Sequence, residues 1–472
     1  MVISTRSKIV STIGPACDSE EVLLLMAESG MDVVRLNLSH GTLALHETRF
    51  NRIRELLPNT PILMDLEGPR VRIGELANPV DLQDGDNITL TTEDIMGTAE
   101  RVSVSLKTLP ALVTQKQRIF INDGLIELRV KSVEDNNIHC TVYTGGSLSS
   151  HKGVNVPGID LGMEIPTKQD VEHIKFVNKL KPDFLALSAV KHANEVEKVK
   201  NLLGKNRNEI SIIAKIEQQL ALKNFDEILD ASYGVMVARG DLGVEIPPEQ
   251  VPILQKEIIR KCNRQGKPVI VATQMLESMV ENRRPTRAET SDVANAILDG
   301  ADAVMLSAET AVGKYPVQAV RVMSSISHYA ETSTPPQKSS YYDSGQYLVA
   351  EQLGRAVVTI VNNLSIKTVL IITQAGYTSR MISKYRPPAR IVSITPNLRV
   401  LRQLKLLWGV ECLLMDEIAN TDQMLIAAVK RVIEEKVVAK SDRIVVVSGS
   451  VLSPGKTNIL GIFTVKDILQ AT

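Results

Sequence analysis

The stretch SIIAKIEQQLALKNFDEILDASYGVMVARGD, residues 211–241, reads as strand, helix, strand. Strands over 211–217 and 234–238 flank a run with helical spacing, and a crossover through one helix joins parallel strands. Working outward, apolar runs at 184–188, 268–273 and 303–307 are each followed by helical patterning. Upstream, 8–14 (KIVSTIG), 32–39 (DVVRLNLS) and 61–65 (PILMD) are three more strands. A helix over 18–30, stopped by Gly30, and another around 47–57 separate them. Between 68 and 158 the helical period vanishes. Short runs rich in Val, Ile, Thr and Leu at 87–91, 101–105, 118–121, 126–130 and 138–143 alternate with turn signals such as Asp84-Gly85, Asp123-Gly124 and Gly145-Gly146. This reads as a small antiparallel β-barrel domain inserted into an α/β domain. Three strands before the insert and five after it make eight, which favours a (β/α)8 TIM barrel over a doubly wound sheet.

The segment 333–344 (STPPQKSSYYDS) has the composition of a linker. Beyond it, strands at 368–373, 390–394, 411–414 and 443–447 alternate with helices. The expected organisation is a discontinuous barrel over 1–67 and 159–331, a lid over 68–158, and a C-terminal α/β domain over 345–472. A chain of 472 residues is long enough for three such units.

Composition narrows the function. Lys+Arg and Asp+Glu are both 54, so the formal net charge is zero, and only 3% of residues are aromatic. A nucleic-acid binder normally carries a basic excess or stacking platforms, so that class loses its support. Cys17, Cys140, Cys262 and Cys412 are far apart, which fits neither a disulfide framework nor a zinc site. No apolar run is long enough to span a bilayer, and residues 1–13 lack a signal-peptide core. A cytoplasmic protein with no membrane partner is expected.

A TIM barrel puts its chemistry at the carboxyl ends of the strands. Those ends carry Arg35, Asn37 and Ser39 after the second strand, Asp65 after the third, and Lys215 and Glu217 after the fifth. Arg239, Gly240 and Asp241 follow the sixth, Thr273 the seventh, and Ser307 and Glu309 the eighth. Glu217 and Asp241 are hard oxygen donors suited to Mg²⁺ or Mn²⁺, ions that keep waters and borrow substrate oxygens. Lys215 lies two residues before Glu217, so both share one face of their strand. An ammonium beside a carboxylate-bound metal can neutralise a phosphoryl group in transit. Arg35 and Arg72 add planar forks for phosphate oxygens, and Gly240 lets the backbone approach a substrate carboxylate.

The stretches KIVSTIGPA (8–16), VVRLNLSHG (33–41), KIEQQLALKNFDEIL (215–229), MVARGDLGVEIP (236–247) and ATQMLESM (272–279) resemble the pyruvate kinase family. So do RPTRAETSDVANAILDGADAVMLSAETAVGKYP (284–316) and KGVNVPG (152–158), and the resemblance covers nearly the whole chain. It implies a glycolytic enzyme that transfers a phosphoryl group from phosphoenolpyruvate to ADP, giving pyruvate and ATP. By resemblance Lys215 would stabilise the phosphoryl group, Arg35 would contact it, and Glu217 and Asp241 would hold the divalent ion. Ala238, Gly240, Asp241 and Thr273 would cradle the substrate carboxylate, with Thr273 and Ser307 near the proton route. Asn37, His40, Arg72 and Lys152 would face the nucleotide, Lys152 arriving from the insert as it closes. The family also implies a homotetramer.

One departure matters. Many members carry Asp-Thr-Lys-Gly-Pro-Glu after the third barrel strand and need K⁺. Here the segment is Asp65-Leu66-Glu67-Gly68-Pro69-Arg70. Asn37, Ser39 and Asp65 remain, but Leu66 offers no side-chain oxygen and Arg70 supplies the charge K⁺ would bring. K⁺ independence is therefore expected. In the C-terminal domain, Thr373, Gln374, Ala375, Gly376, Tyr377, Thr378 and Ser379 open a helix with hydroxyls and free N–H groups. They resemble the family's effector-phosphate loop, with SGSVLSPGKTN (448–458) folding over it, and a phosphorylated sugar or nucleotide as occupant. Two other readings are open from the residues alone. One is another Mg²⁺ TIM-barrel enzyme acting on phosphoenolpyruvate or a 2-oxo acid, the other a non-catalytic metabolite sensor that keeps the effector domain. Arg72 and Lys152 disfavour the first, and Lys215, Glu217, Asp241 and Thr273 together disfavour the second.

Overall fold

The computed structural model describes residues 5–333, 349–418, 420–449 and 457–470. Most of the expected linker lies outside them. Eight parallel strands close into a barrel: β1 (Lys8–Thr12), β2 (Val33–Asn37), β3 (Ile62–Asp65), β4 (Phe184–Leu187), β5 (Ser211–Ile216), β6 (Gly234–Ala238), β7 (Val269–Ala272) and β8 (Ala303–Leu306). Each pairs with its neighbour in sequence, and β1 returns to β8 with Lys8 opposite Ala303. Their near-continuous Val, Ile, Leu and Met content is what strands buried on both faces require.

The two-residue pleat sorts these side chains. Odd positions of β5, even positions of β4 and odd positions of β3 point inward, so Leu63, Phe184, Ile213 and Met236 fill the barrel. Ile62, Leu185, Ile212 and Val235 point outward into the larger core under the helices. Helices begin where the sequence caps them. Thr167 and Asp170 form a capping box for Lys168–Leu180, and Thr286 with Glu289 forms another for Arg287–Leu298.

Between β3 and β4 the insert builds a seven-stranded sheet with its own apolar core. A bridge from Ile73 to Val104 ties its two edges, so the sheet curls back on itself. The sequence expectation of purely antiparallel pairing needs amending, because Asn87–Thr91 and Arg101–Ser103 run parallel. Val71–Arg72 and Gly153–Asn155 are too short to show a period of two, which is why the sequence hides them.

The C-terminal sheet contains β9 (Thr368–Ile372), β10 (Arg390–Thr395), β11 (Val410–Leu414), β12 (Arg443–Ser448) and β13 (Ile459–Thr464). The first four are parallel in the order 11-10-9-12, and β13 adds an antiparallel edge. The domain docks on the N-terminal rim of the barrel. Leu406, fully buried, joins the barrel's interior cluster from below. Arg386 Nη2 donates to Asp302 and to the Gly300 carbonyl, and Gln403 donates to the carbonyls of Asp183 and Glu209. Among the described residues no helix is long and apolar enough to cross a membrane.

Candidate active site

The strand parity that fills the barrel with apolar side chains places polar ones at its upper mouth. Thr12, Arg35, Asp65, Lys215 and Glu217 are the inward positions nearest the carboxyl ends of β1, β2, β3 and β5, and all are buried. Asp65 Oδ2 accepts from Arg35 Nε at 2.8 Å and Nη2 at 2.7 Å, while Arg35 Nη1 donates to Thr12 Oγ1 at 2.9 Å. Lys215 Nζ lies 2.7 Å from Glu217 Oε1, 2.7 Å from Ser188 Oγ and 3.5 Å from Asp65 Oδ1. Glu217 Oε2 accepts the backbone N–H of Ala189 at 2.7 Å. This is one connected, buried ion cluster. Its members come from β1, β2, β3 and β5, so only the closed barrel assembles it.

Burial acts against every charge in the cluster, and the pairing decides which survive. Burial disfavours the Lys215 ammonium, but Asp65 and Glu217 outweigh it and raise its pKa. Burial pushes the Asp65 carboxyl up, yet Lys215 and Arg35 hold it below its ordinary value. Glu217 goes the other way: burial and the nearby Asp241 carboxylate raise it despite Lys215. A buried carboxylate that a second carboxylate makes costlier to ionise favours a cation beside it. Glu217 and Asp241 therefore fit a divalent ion. No group of three or more metal-ligating side chains exists among the described residues. A hard ion that draws its remaining ligands from water and substrate needs no such group.

The loop after β6 starts the short helix Arg239–Glu245. Its Gly240 N–H donates to Thr273 Oγ1 at 2.8 Å, and that hydroxyl donates to the Ala272 carbonyl at 2.6 Å. Ala238 is buried at the end of β6. Thr273 and Gln274 both have positive φ, 66° and 53°, which costs a β-branched residue energy and pins the loop in one unusual shape. Arg239 braces it, donating to the Thr273 carbonyl at 2.9 Å and to Asp292 at 2.6 Å. In the short helix after β8, Ala308–Ala311, Glu309 is fully buried and accepts the N–H groups of Ser307 and Leu276 at 2.7 and 3.0 Å. The Ser307 hydroxyl is buried with no hydrogen-bond partner among the described residues.

The insert overhangs this mouth. A cleft of about 890 Å³, open mouth included, runs between them and is lined by Glu217 and Asp241 from the barrel and by Asp123 and Asn155 from the insert. Arg70 and Lys191 also line it. Lys191 Nζ bonds Asp160 at 2.8 Å and so ties the barrel to the chain returning from the insert. Arg72 reaches Glu67 at 3.0 Å and the His151 carbonyl at 3.1 Å, next to Lys152. Asn37 Oδ1 accepts the Ser39 N–H at 3.2 Å, and His40 is exposed beside them. Leu66 is buried in the core, and Arg70 is exposed. Asp65 is held by Arg35 and Lys215, not by Arg70. The residues expected to bind an effector lie in the C-terminal domain, which meets the barrel at its opposite rim.

The expectation from sequence passed over two inward-facing residues, Thr12 and Ser188. The same strand-end rule finds both, Ser188 as the last residue of the run 184–188.

A family model described as "Pyruvate kinase, barrel domain" matches residues 4–320, and one described as "Pyruvate kinase, alpha/beta domain" matches 351–463. The chain belongs to the pyruvate kinase family. The pyruvate kinase of Bacillus licheniformis is 42% identical over 474 residues, covering 98% of this chain and 81% of the relative. That of Geobacillus stearothermophilus is 42% identical over 475 residues, with the same coverage of each. Pyruvate kinase 2 of a Synechocystis strain is 42% identical over 474 residues, covering 98% of this chain and 80% of its own. The chain is thus an enzyme of the bacterial type of this family, a phosphotransferase whose reaction links phosphoenolpyruvate and ADP to pyruvate and ATP.

Proposed function

We propose that the buried cluster of Arg35, Asp65, Lys215 and Glu217 is the phosphoryl-transfer centre of this pyruvate kinase. The supporting observation is its charge. Arg35 and Lys215 face Asp65, Glu217 and Asp241, two cations against three carboxylates, so the side chains of the centre carry one negative charge in excess. Glu217 and Asp241 would hold Mg²⁺ or Mn²⁺, which would supply Lewis-acid charge to the reaction. With a divalent ion the balance turns positive, as an anionic phosphoryl group requires.

Lys215 and Arg35 then face the phosphoryl group as it leaves phosphoenolpyruvate, and their charge counts most where negative charge migrates. The carboxylate of the substrate is received by the loop Ala238–Asp241 and Thr273. Gly240 N–H must release Thr273 Oγ1 to donate to it, and Thr273 is then free to turn toward substrate. Thr273 and the unpartnered Ser307 hydroxyl lie on the route by which a proton reaches the enolate carbon. Asn37, His40, Arg72 and Lys152 receive the nucleotide, and the overhanging insert excludes water from the transfer.

We also propose that the enzyme does not require K⁺, and that Thr373, Gln374, Ala375, Gly376, Tyr377, Thr378 and Ser379 take the phosphate of a sugar or nucleotide effector. The assembly is a homotetramer, as in the family. A coupled assay of pyruvate formation from phosphoenolpyruvate and ADP with Mg²⁺ tests the central proposal; absence of turnover would sink it.

A further inference from the structure

Lys215 carries three N–H groups on a flexible four-carbon stem. Two carboxylates attract it, Glu217 at 2.7 Å and Asp65 at 3.5 Å. Left to them, the ammonium settles wherever the ion pairing is best, not where a phosphoryl group has to be met. A third group competes. Ser188 Oγ lies 2.7 Å from Lys215 Nζ and 2.8 Å from the carbonyl of Leu66, and Ser188 is only 3% exposed.

The direction of these two bonds is fixed by chemistry. A hydroxyl has one proton, and the Leu66 carbonyl can only accept it. Ser188 Oγ must therefore accept from Lys215. The hydroxyl is also fixed in space. Ser188 continues the inward parity of Phe184 and Ala186 on β4, and Gly68 packs so closely that an added Cβ would lie 2.8 Å from the Ser188 Cβ. A neutral acceptor suits this place. A further carboxylate would cancel the charge the substrate needs, whereas a hydroxyl orients the ammonium and leaves its charge intact.

We propose that Ser188 is a positioning residue for phosphoryl transfer, whose hydroxyl, locked by the Leu66 carbonyl, holds the Lys215 ammonium toward the substrate. This rests on the reading of Lys215 given above. It also gives the loop after β3 a task in this chain: the backbone of Leu66 steers the ammonium through Ser188.

The test is a double-mutant cycle on the full-length enzyme, with kcat and the KM for phosphoenolpyruvate measured at saturating Mg²⁺ and ADP. Ser188→Ala lowers kcat about ten- to a hundredfold, the size of one hydrogen bond to a charged group, and leaves KM within about threefold. Ser188→Cys keeps the side-chain volume and gives the same pattern, so a folding defect in one variant does not decide the matter. In the Lys215→Met background, where no ammonium remains to be aimed, adding Ser188→Ala costs no more than about twofold. A similar fold loss in both backgrounds, or both Ser188 variants within about threefold of the parent kcat, overturns the proposal while leaving Lys215 in place. A Lys215→Met enzyme with undiminished kcat overturns the reading of Lys215 itself.

Discussion

Leu66 shows how one residue changes what a site asks for. Its side chain is in the core, and its carbonyl already accepts the Ser188 hydroxyl. Asp65 is paired with Arg35 and Lys215. Activity in a K⁺-free tetramethylammonium buffer should therefore rise less than threefold when K⁺ is added at constant ionic strength. A rise above about tenfold, worth some 1.4 kcal/mol, would contradict this. Glu245 makes a second case. Burial raises its pKa to about 7, against a hydrogen bond from Asn155 of the insert and with Asp241 adding to the rise. A carboxyl raised in the folded state binds its proton there while the unfolded chain has already lost it, between its ordinary value and about 7. Stability contributed by this group is thus present at low pH and lost as pH rises through that window, by roughly 3 kcal/mol. Glu245→Gln should remove that loss, so its unfolding midpoint should exceed the parent's at pH 8 and match it near pH 4. Equal midpoints at pH 8 would count against a buried carboxylate. That these residues gather at the barrel mouth was legible because parity and strand ends are properties of sequence. Their bonds were not: that Arg35 rather than Arg70 would hold Asp65 depends on how β2 and β3 align, with Asn37 beside Asp65.

At the scale of elements, the loop after β9 carries the residues proposed to take an effector phosphate. Gly376 takes the left-handed conformation, φ 79°, that opens the helix Tyr377–Ser383, and its N–H donates to Thr373 Oγ1 at 3.0 Å. The Thr378 hydroxyl meets Thr457 at 2.6 Å, while Ser379 turns inward to Ser393 at 2.7 Å. Most of 448–458, expected to fold over this loop, lies outside the described residues. If the loop binds an effector phosphate, Thr378→Glu puts a carboxylate there and abolishes activation by a sugar phosphate or nucleoside monophosphate; undiminished activation would place the effector elsewhere. The long apolar strands were readable within a residue or two, and the helix expected over 18–30 runs Glu20–Glu28. β13 was not. It is an edge strand whose Ile459, Ile462 and Phe463 are partly exposed, so it lacks both the alternation and the unbroken burial that mark a strand.

In the whole molecule the barrel is closed at one end by another domain and overhung at the other by the insert. Leu406 plugs the floor, and the molecule's single tryptophan, Trp408, has the guanidinium carbons of Arg6 and Arg386 at 5.2 and 4.7 Å from the centre of its ring. The helix Tyr377–Ser383 leads straight into Lys384, which donates to the Arg264 carbonyl at 2.8 Å and pairs with Glu351 at 2.6 Å. The C-terminal domain is thus fastened to the helix Val251–Gln265 and, through Gln403 and Arg386, to the turns that lead into β5 and β8. None of this docking follows from composition or periodicity, because it joins side chains up to hundreds of residues apart. The account as a whole stands on Lys215 acting at the mouth of that barrel. The most direct measurement compares pyruvate formation from phosphoenolpyruvate and ADP by the parent enzyme and by Lys215→Met, both saturated with Mg²⁺. The expected result is a kcat lower by about 10²–10³-fold with KM for phosphoenolpyruvate nearly unchanged. A Lys215→Met enzyme that keeps more than half of the parent kcat would contradict it.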